Sequence, residues 1–257
     1  MAESIEIVTH CYDPVGMDQY GELLKHQIAS LCRHSVQGVN VVLSVVCDPV
    51  MSERVRKFIV NASACCDPPP KGLTIRCIEL AYEGLFRRAI GRNMCALNTG
   101  ADLVWFTDCD YAFGLNCLRV ITQNYGKMAG LLMPRNLQIS NDHQTGDATI
   151  ARGRSEALPE LIDEDYSQRR QRICIGGVQI IGGDLARERG YLNGTKWIEP
   201  VDASYGFRSC RCDKAFRKWL GMPAQRVPIP NVYRLRHSKD GRDYNLDGDK
   251  LEGKEAW

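Results

Sequence analysis

The chain has 257 residues, with 33 Lys and Arg against 31 Asp and Glu, for a formal net charge of +2. Hydrophobic residues make up 44% and charged residues 25%, ordinary proportions for a globular protein long enough to form one large α/β domain or two small ones. The near-neutral balance argues against a chain that coats a polyanion with its whole surface. No apolar run approaches the length that crosses a bilayer, and the opening "MAESIEIVTH" lacks the basic segment and apolar stretch of a secretory leader. Twelve cysteines include no C-x-x-C pair, so no zinc framework is expected. Cys47, Cys77 and Cys95 lie inside apolar segments, as small core residues do, and a reducing, cytoplasmic setting is the expectation.

Taken in chain order, "IEIVTHCY" (5–12) reads as a first strand, broken by Asp13-Pro14. Residues 18–34 carry Tyr20, Leu24, Ile28 and Leu31 at helical spacing. "VNVVLSVVCD" (39–48) is a continuous β-branched run, the pattern of a parallel strand covered on both faces. A helix over 52–61, a loop at "CCDPPPKG" and a third strand, "LTIRCIEL" (73–80), follow. Residues 84–99 read as one helix, with Gly100 as its C′ glycine. The next strand enters "ADLVWFTDCDYAFG" (101–114). This alternation predicts an α/β fold with a mostly parallel central sheet flanked by helices, in which ligands bind beyond the carboxyl ends of the strands. Thr9, His10, Asp48, Asp108 and Asp110 fall at those ends.

The second half is less regular. Residues 134–172 are polar, run from "IDEDY" into "RRQR", and suggest a mobile segment over the site. "ICIGGVQIIGGDLARERGYLNG" predicts glycine pair, strand, glycine pair and helix. "RCDKAFRKWLG" (211–221) predicts a helix opening on Asp213 and closing at Gly221. Trp197 and Trp219 suit core packing more than stacking on a sugar or base. The end, from residue 238, is a charged tail without a core pattern.

Asp108 and Asp110, two apart on an extended backbone, can point the same way. Two convergent carboxylates repel, and a divalent cation such as Mg2+ or Mn2+ removes that cost. A solvated turn leaving a buried strand is the other reading of the same spacing.

"GLFRRAIGRNMCALNTGADLVWFTDCDYAFG" (84–114) resembles the central stretch of family 2-like glycosyltransferases with the GT-A fold: a pattern near G-x-x-x-A-R-N, an apolar helix, an apolar strand, then D-x-D. Gly91 replaces the usual alanine before Arg92-Asn93. The resemblance continues in "IGGVQIIGGDLARERGYLNG" (175–194) and in "RCDKAFRKWLG", where Cys212 stands in place of an acidic residue. It implies one GT-A-like domain over 1–237, with a nucleotide-binding half near 1–114, an acceptor half near 115–237, and a tail at 238–257. It also implies Asp110 as direct metal ligand, Asp108 on ribose or the metal through water, His237 as third ligand, and Asp213 as catalytic base. Thr9, Asp48, Arg87, Arg92, Asn93, Gly176 and Gly177 would meet a nucleoside-diphosphate sugar. Arg88 would join the arginines on the diphosphate. Asp48 favours a UDP donor, although "VVCDPV" replaces the family's usual aspartate run. A surface histidine is an equal reading of His237, and a first-turn aspartate that favours its helix dipole is the alternative for Asp213.

The implied activity is a metal-dependent, inverting transfer from nucleoside-diphosphate sugar to an acceptor hydroxyl. Residues 208–242 hold ten basic residues and two acids, a local charge of +8. Arg208, Arg211, Arg217, Arg234 and Arg236 are thereby candidate contacts to an anionic acceptor: a charged glycan, a lipid-linked acceptor at an anionic surface, or DNA carrying a hydroxymethylated base. The same residues could instead line the donor diphosphate or a solvated face. A sugar-nucleotide nucleotidyltransferase would need a glycine-rich loop where "THCYDPVGMD" stands. A non-catalytic sugar-nucleotide or carbohydrate binder remains the other rival.

Overall fold

Hydrophobic patterning places the first four strands in one sheet. In the computed structural model, which describes residues 3–12, 19–34, 38–65, 70–85, 87–125, 130–199 and 211–238, β1 (Ser4–His10) pairs in parallel with both β2 (Asn40–Cys47) and β4 (Leu103–Phe106). The β-branched run of β2 is flanked in turn by β3 (Leu73–Glu79), again parallel. Later in the chain come β6 (Leu131–Pro134), β9 (Gln179–Gly182) and β10 (Ala224–Val227). They complete a seven-stranded sheet of order β10-β6-β9-β4-β1-β2-β3. Only β9 runs against its neighbours.

A second sheet of order β5-β11-β7-β8 combines β5 (Tyr111–Phe113), β7 (Asn136–Ser140), β8 (Tyr166–Arg170) and β11 (Val232–Arg234). Asp108, Cys109 and Asp110 thus form the turn by which the chain leaves β4 in the first sheet and enters β5 in the second. The segment expected to be loop-rich and mobile is instead built of β7, β8 and helix α6 (His143–Ser155); the polar run of the edge strand β8 and the polar surface of α6 are what composition alone confuses with a loop.

Helix α1 (Gln19–Arg33) buries Leu24, Ile28 and Leu31, as its spacing predicts, with Tyr20 half-buried, but it also buries Leu23 and polar groups. Gln27 Nε2 donates to the Tyr111 carbonyl at 2.9 Å, and the Phe113 amide donates to Ser30 Oγ at 3.1 Å. The inner side of α1 therefore clamps β5. Helix α2 (Pro49–Cys65) begins earlier than expected, because the Asp48 carboxylate accepts the Met51 amide at 2.9 Å and caps it. The single helix expected over 84–99 is two: α3 (Tyr82–Leu85) and α4 (Arg88–Asn98). Gly100 is no left-handed cap, since α4 ends where Thr99 turns extended and its Oγ1 accepts the Ala101 amide at 3.1 Å. Helices α5 (Cys117–Tyr125), α7 (Gly183–Arg189) and α8 (Cys212–Leu220) complete the set, and Gly221 closes α8 at φ 68° as anticipated. The ten described cysteines are all free thiols.

Helix α6 sits close against the segment that follows β11. A Cβ on Gly146 would fall 1.5 Å from the Arg236 carbonyl oxygen, so only glycine permits the approach. Beneath α6, His26 of α1 is 1% exposed and its Nε2 lies 2.9 Å from the Thr149 carbonyl, so the neutral ring carries its proton on Nε2 and donates. Burial pushes the His26 pKa down to about 4, partly offset by that bond. The unfolded chain takes up the proton near 6.5 and the folded chain only near 4, so stability is complete above that range and falls as pH drops through it. Urea titrations at pH 7 and pH 4.5 are expected to show a loss of up to about 3 kcal/mol from this group. In His26→Gln the pH-dependent part should shrink by that amount, while stability at pH 7 drops by roughly 1 to 2 kcal/mol.

Candidate functional site

The two aspartates of the turn meet different surroundings. Asp108 Oδ1 accepts from Arg88 Nη1 at 2.5 Å and from Arg92 Nη2 at 3.0 Å. Burial alone would raise its pKa, but the two guanidiniums outweigh burial and hold Asp108 well below the usual carboxylate range. Asp110 has one long contact, Oδ2 to Arg234 Nε at 3.4 Å, while its buried Oδ1 has no hydrogen-bond partner among the described residues. Burial, only partly offset by Arg234 and reinforced by Asp108, lifts the Asp110 pKa. One carboxylate is neutralised by the protein and the other is left wanting a cation.

Arg92 is completely buried. Besides Asp108 it donates to the Thr107 carbonyl at 3.0 Å and to the Tyr191 hydroxyl at 3.1 Å. Tyr191 in turn donates to Gln179 Oε1 at 2.9 Å, and Gln179 Nε2 donates to the Asp213 carbonyl at 3.1 Å. The expectation that Arg92 meets a donor diphosphate is therefore corrected: its guanidinium is enclosed and committed to the frame. Asn93 is corrected likewise, since its Oδ1 accepts the Tyr191 amide at 2.9 Å and secures the turn at Gly190. Arg87 points elsewhere, donating to the Lys196 carbonyl at 3.0 Å and lying over Trp197. Arg88 alone of the three reaches the cavity that opens beside Asp108 and Asp110.

That cavity is lined by His10, Tyr12, Arg88, Asp110, Arg234 and His237, among others. His237 reaches it because the segment after β11 is tied down: His143 Nδ1 contacts the His237 carbonyl at 2.8 Å, and the Ser238 amide donates to Asp147 at 3.0 Å. The His237 ring stands edge-on to Tyr20, with Nδ1 2.6 Å from the Ser238 carbonyl. Among the described residues, no three His, Cys, Asp or Glu side chains converge closely enough to enclose a metal ion. The orphaned Asp110 oxygen nevertheless fits a cation whose other ligands are water and phosphate oxygens, the usual habit of Mg2+.

His10 carries no assigned role in the sequence reading beyond its place at a strand end. It is 4% exposed, and neither ring nitrogen has a hydrogen-bond partner among the described residues. Burial first, then Arg92 and Arg88, push its pKa well below the ordinary value, so the ring is neutral, with one donor and one acceptor. It also explains Gly91. A Cβ there would lie 2.7 Å from His10 Nε2 and 2.5 Å from Val46 Cγ1, so α4 crosses β1 and β2 only without a side chain. The glycine is legible in the sequence; its cause needed the crossing.

The remaining candidates divide. Gly176 lies between Arg92 and Asp213: a Cβ on it would be 3.4 Å from Arg92 Nη1 and 3.5 Å from the Asp213 Cβ. Gly177 faces the Tyr111 ring, which a Cβ would strike at 2.1 Å. Asp213 is half-buried in the first turn of α8, behind an Arg211 whose backbone is left-handed (φ 53°). Thr9 is buried with Oγ1 unpartnered, and Asp48 is the helix cap already described. The basic candidates do not form one patch. Arg234 turns to Asp110 and over the Tyr111 ring, Arg236 reaches His143 at 3.4 Å, Arg217 is half-buried, and Arg211 is exposed. Arg208, Lys239, Asp240 and Arg242 lie outside the described residues.

No family model matches this sequence, and no curated protein resembles it. The fold is GT-A-like. TarS 1–349 of S. aureus superimposes with a TM-score of 0.52 at 11% identity, over 90% of this chain and 60% of that one. The mannosyltransferase PcManGT from Pyrobaculum calidifontis, in complex with GDP-Man and Mn2+, superimposes with a TM-score of 0.50 at 14% identity, over 94% of this chain and 59% of that one. The chain thus spans about 60% of the length of these structures. What they share with it is the mostly parallel central sheet flanked by helices.

The unlike surroundings of the two aspartates predict unlike mutants. Asp108→Asn leaves Arg92 buried beside an uncharged partner and is expected to cost about 3 kcal/mol or more in chemical denaturation. Asp110→Asn removes a carboxylate that burial already disfavours, and should shift stability by less than about 1 kcal/mol.

Proposed function

We propose that this chain is a metal-dependent glycosyltransferase that moves a sugar from a nucleoside-diphosphate donor to an acceptor hydroxyl. The observation that carries the reading is the buried, unpartnered Asp110 oxygen in a cavity that also holds Arg88, Arg234 and His237. One uncompensated acceptor among cationic and neutral donors suits a cation together with the diphosphate it bridges. The GT-A-like fold supports the reading, as does the Mn2+ and GDP-Man complex of PcManGT.

In this reading Asp110 and His237 would hold Mn2+ or Mg2+, with Asp108, paired to Arg88 and Arg92, next to them or on the ribose. The ion would supply neutralisation of the charge that develops on the departing nucleoside diphosphate. Arg88 and Arg234 add fixed positive charge beside the same oxygens. His10, neutral and with both ring nitrogens unpartnered among the described residues, would hydrogen-bond the nucleoside; Asp48 would reach it through the oxygen that does not cap α2, whereas Thr9 is enclosed as Arg92 is. Gly176 and Gly177 bring backbone close to the donor. Asp213 receives the proton of the acceptor hydroxyl as that oxygen attacks the anomeric carbon, a single displacement that inverts the configuration. Residues 1–114 form the donor half of a domain that runs to 237, and residues 115–237 the acceptor half. A UDP-sugar is the donor this arrangement favours, through Asp48.

The test is donor hydrolysis and transfer with Mn2+ and a panel of nucleoside-diphosphate sugars. One donor is expected to release nucleoside diphosphate, and Asp110→Asn to abolish both release and metal-dependent nucleotide binding. Asp213→Asn is expected to keep donor binding while transfer falls roughly 10²- to 10⁴-fold. Donor binding unaffected by either substitution, with no turnover on any acceptor, would identify a non-catalytic sugar-nucleotide binder instead.

A further inference from the structure

Three segments far apart in sequence, 131–140, 166–183 and 222–237, contain seven arginines and no aspartate or glutamate. Two of the seven, Arg234 and Arg236, turn toward Asp110 and His143. The other five, Arg135, Arg169, Arg170, Arg172 and Arg226, are exposed, and none has an ion-pair partner among the described residues. Four of them are tied together in space. The Arg135 amide donates to the Val227 carbonyl at 2.8 Å, beside Arg226. The Gln171 amide donates to the Arg135 carbonyl at 2.9 Å, beside Arg170 and Arg172. Arg226 Nη2 donates to the Arg172 carbonyl at 2.9 Å. Arg170 is paired across strands with Asn136, and Gln168 with Gln138, so these four share one face of the β7–β8 ladder. Next to them opens a groove of about 230 Å³, lined by Arg135, Asn136, Gln138, Gln168 and Asn231.

We propose that this arginine-rimmed groove binds the phosphodiester backbone of a nucleic acid strand, the arginines taking phosphates and the amides taking sugar and base edges. Charged residues on an edge strand such as β8 also prevent strand-to-strand aggregation. The same role could apply to Arg226 on β10, the edge of the first sheet, but it does not account for Arg135, which lies on neither edge strand yet closes the same rim. An anionic bilayer is the other polyanion to weigh. It is a flat partner that rewards inserted aromatic and apolar side chains. This groove is concave and its lining contains no aromatic residue; the apolar side chains Leu137, Ile229 and Val232 that also line it are buried, and the exposed large apolar residues nearby are Ile173 and Leu115, whose carbonyl Asn231 bonds. The proposal rests on the transferase reading only where it makes such a strand the carrier of the acceptor hydroxyl. The binding itself needs neither donor nor metal.

The full chain is titrated into a short labelled single-stranded oligonucleotide of mixed sequence, and anisotropy is followed at rising KCl. Four phosphate contacts predict a slope of log affinity against log salt of about −3. Arg170→Gln/Arg172→Gln is expected to weaken binding roughly tenfold and to reduce the slope by 1 to 2, about 1 for each lost contact. Arg135→Gln/Arg226→Gln should do the same, while Lys57→Gln, on α2 beyond the opposite edge of the sheet, should leave binding unchanged. Asp110→Asn should bind the strand normally, which separates this result from the metal site. The proposal is overturned if the wild type fails to bind the strand at low salt while still binding nucleotide with Mn2+. It is also overturned if both double variants bind as the wild type does, or if vesicles containing phosphatidylglycerol are bound and the oligonucleotide is not.

Discussion

The buried guanidinium of Arg92 is the contact on which the site depends. An enclosed cation needs an opposite charge and acceptors, and Arg92 meets Asp108, the Thr107 carbonyl and the Tyr191 hydroxyl through its two terminal nitrogens, while Nε has no partner among the described residues. Through Tyr191 and Gln179 the same network reaches the backbone of Asp213. One side chain from α4 therefore sets the spacing between the carboxylate turn and the first turn of α8, which stand far apart in sequence. Arginine suits this post because its planar fork supplies several fixed donors and stays charged when enclosed.

The carboxylate turn itself is a junction. The chain leaves the parallel sheet at Phe106 and enters the second sheet at Tyr111, and Gln27 of α1 pins the crossing by donating to the carbonyls of Asp108 and Tyr111. Two aspartates on such a crossing cannot have equal environments. Asp108 faces the α4 arginines and is held ionised, whereas Asp110 faces a poorly solvated cavity with one distant guanidinium. Identical chemistry two residues apart is divided by the surrounding charges into a paired carboxylate and one with an oxygen left unpartnered among the described residues.

Much of the fold was legible before the structure. The apolar runs of β1, β2 and β4 and the alternation with helices led to the parallel sheet, and the glycine-flanked strand and Gly221-capped helix appeared where the spacing put them. The second sheet was not legible. β7 and the edge strand β8 are short, polar elements covered by α6 and β11, and local composition carries no trace of those partners. Within the site, the carboxylates at 108, 110 and 213 were visible in the sequence. The enclosure of Arg92 and of His10 was not, because both depend on how closely α4 crosses β1.

The sequence by itself determined the strands of the mostly parallel sheet, several of the helices beside them, and which residues could carry charge to the strand ends, since these follow from periodicity and backbone preference along a few neighbouring residues. Only the tertiary structure decided which charges cancel. It paired Asp108 with Arg88 and Arg92, left Asp110 to the cavity, turned Arg234 inward and gathered Arg135, Arg170, Arg172 and Arg226 on a rim. Electrostatic partnership is set by distance and burial, and both come from packing segments that the sequence keeps tens to more than a hundred residues apart.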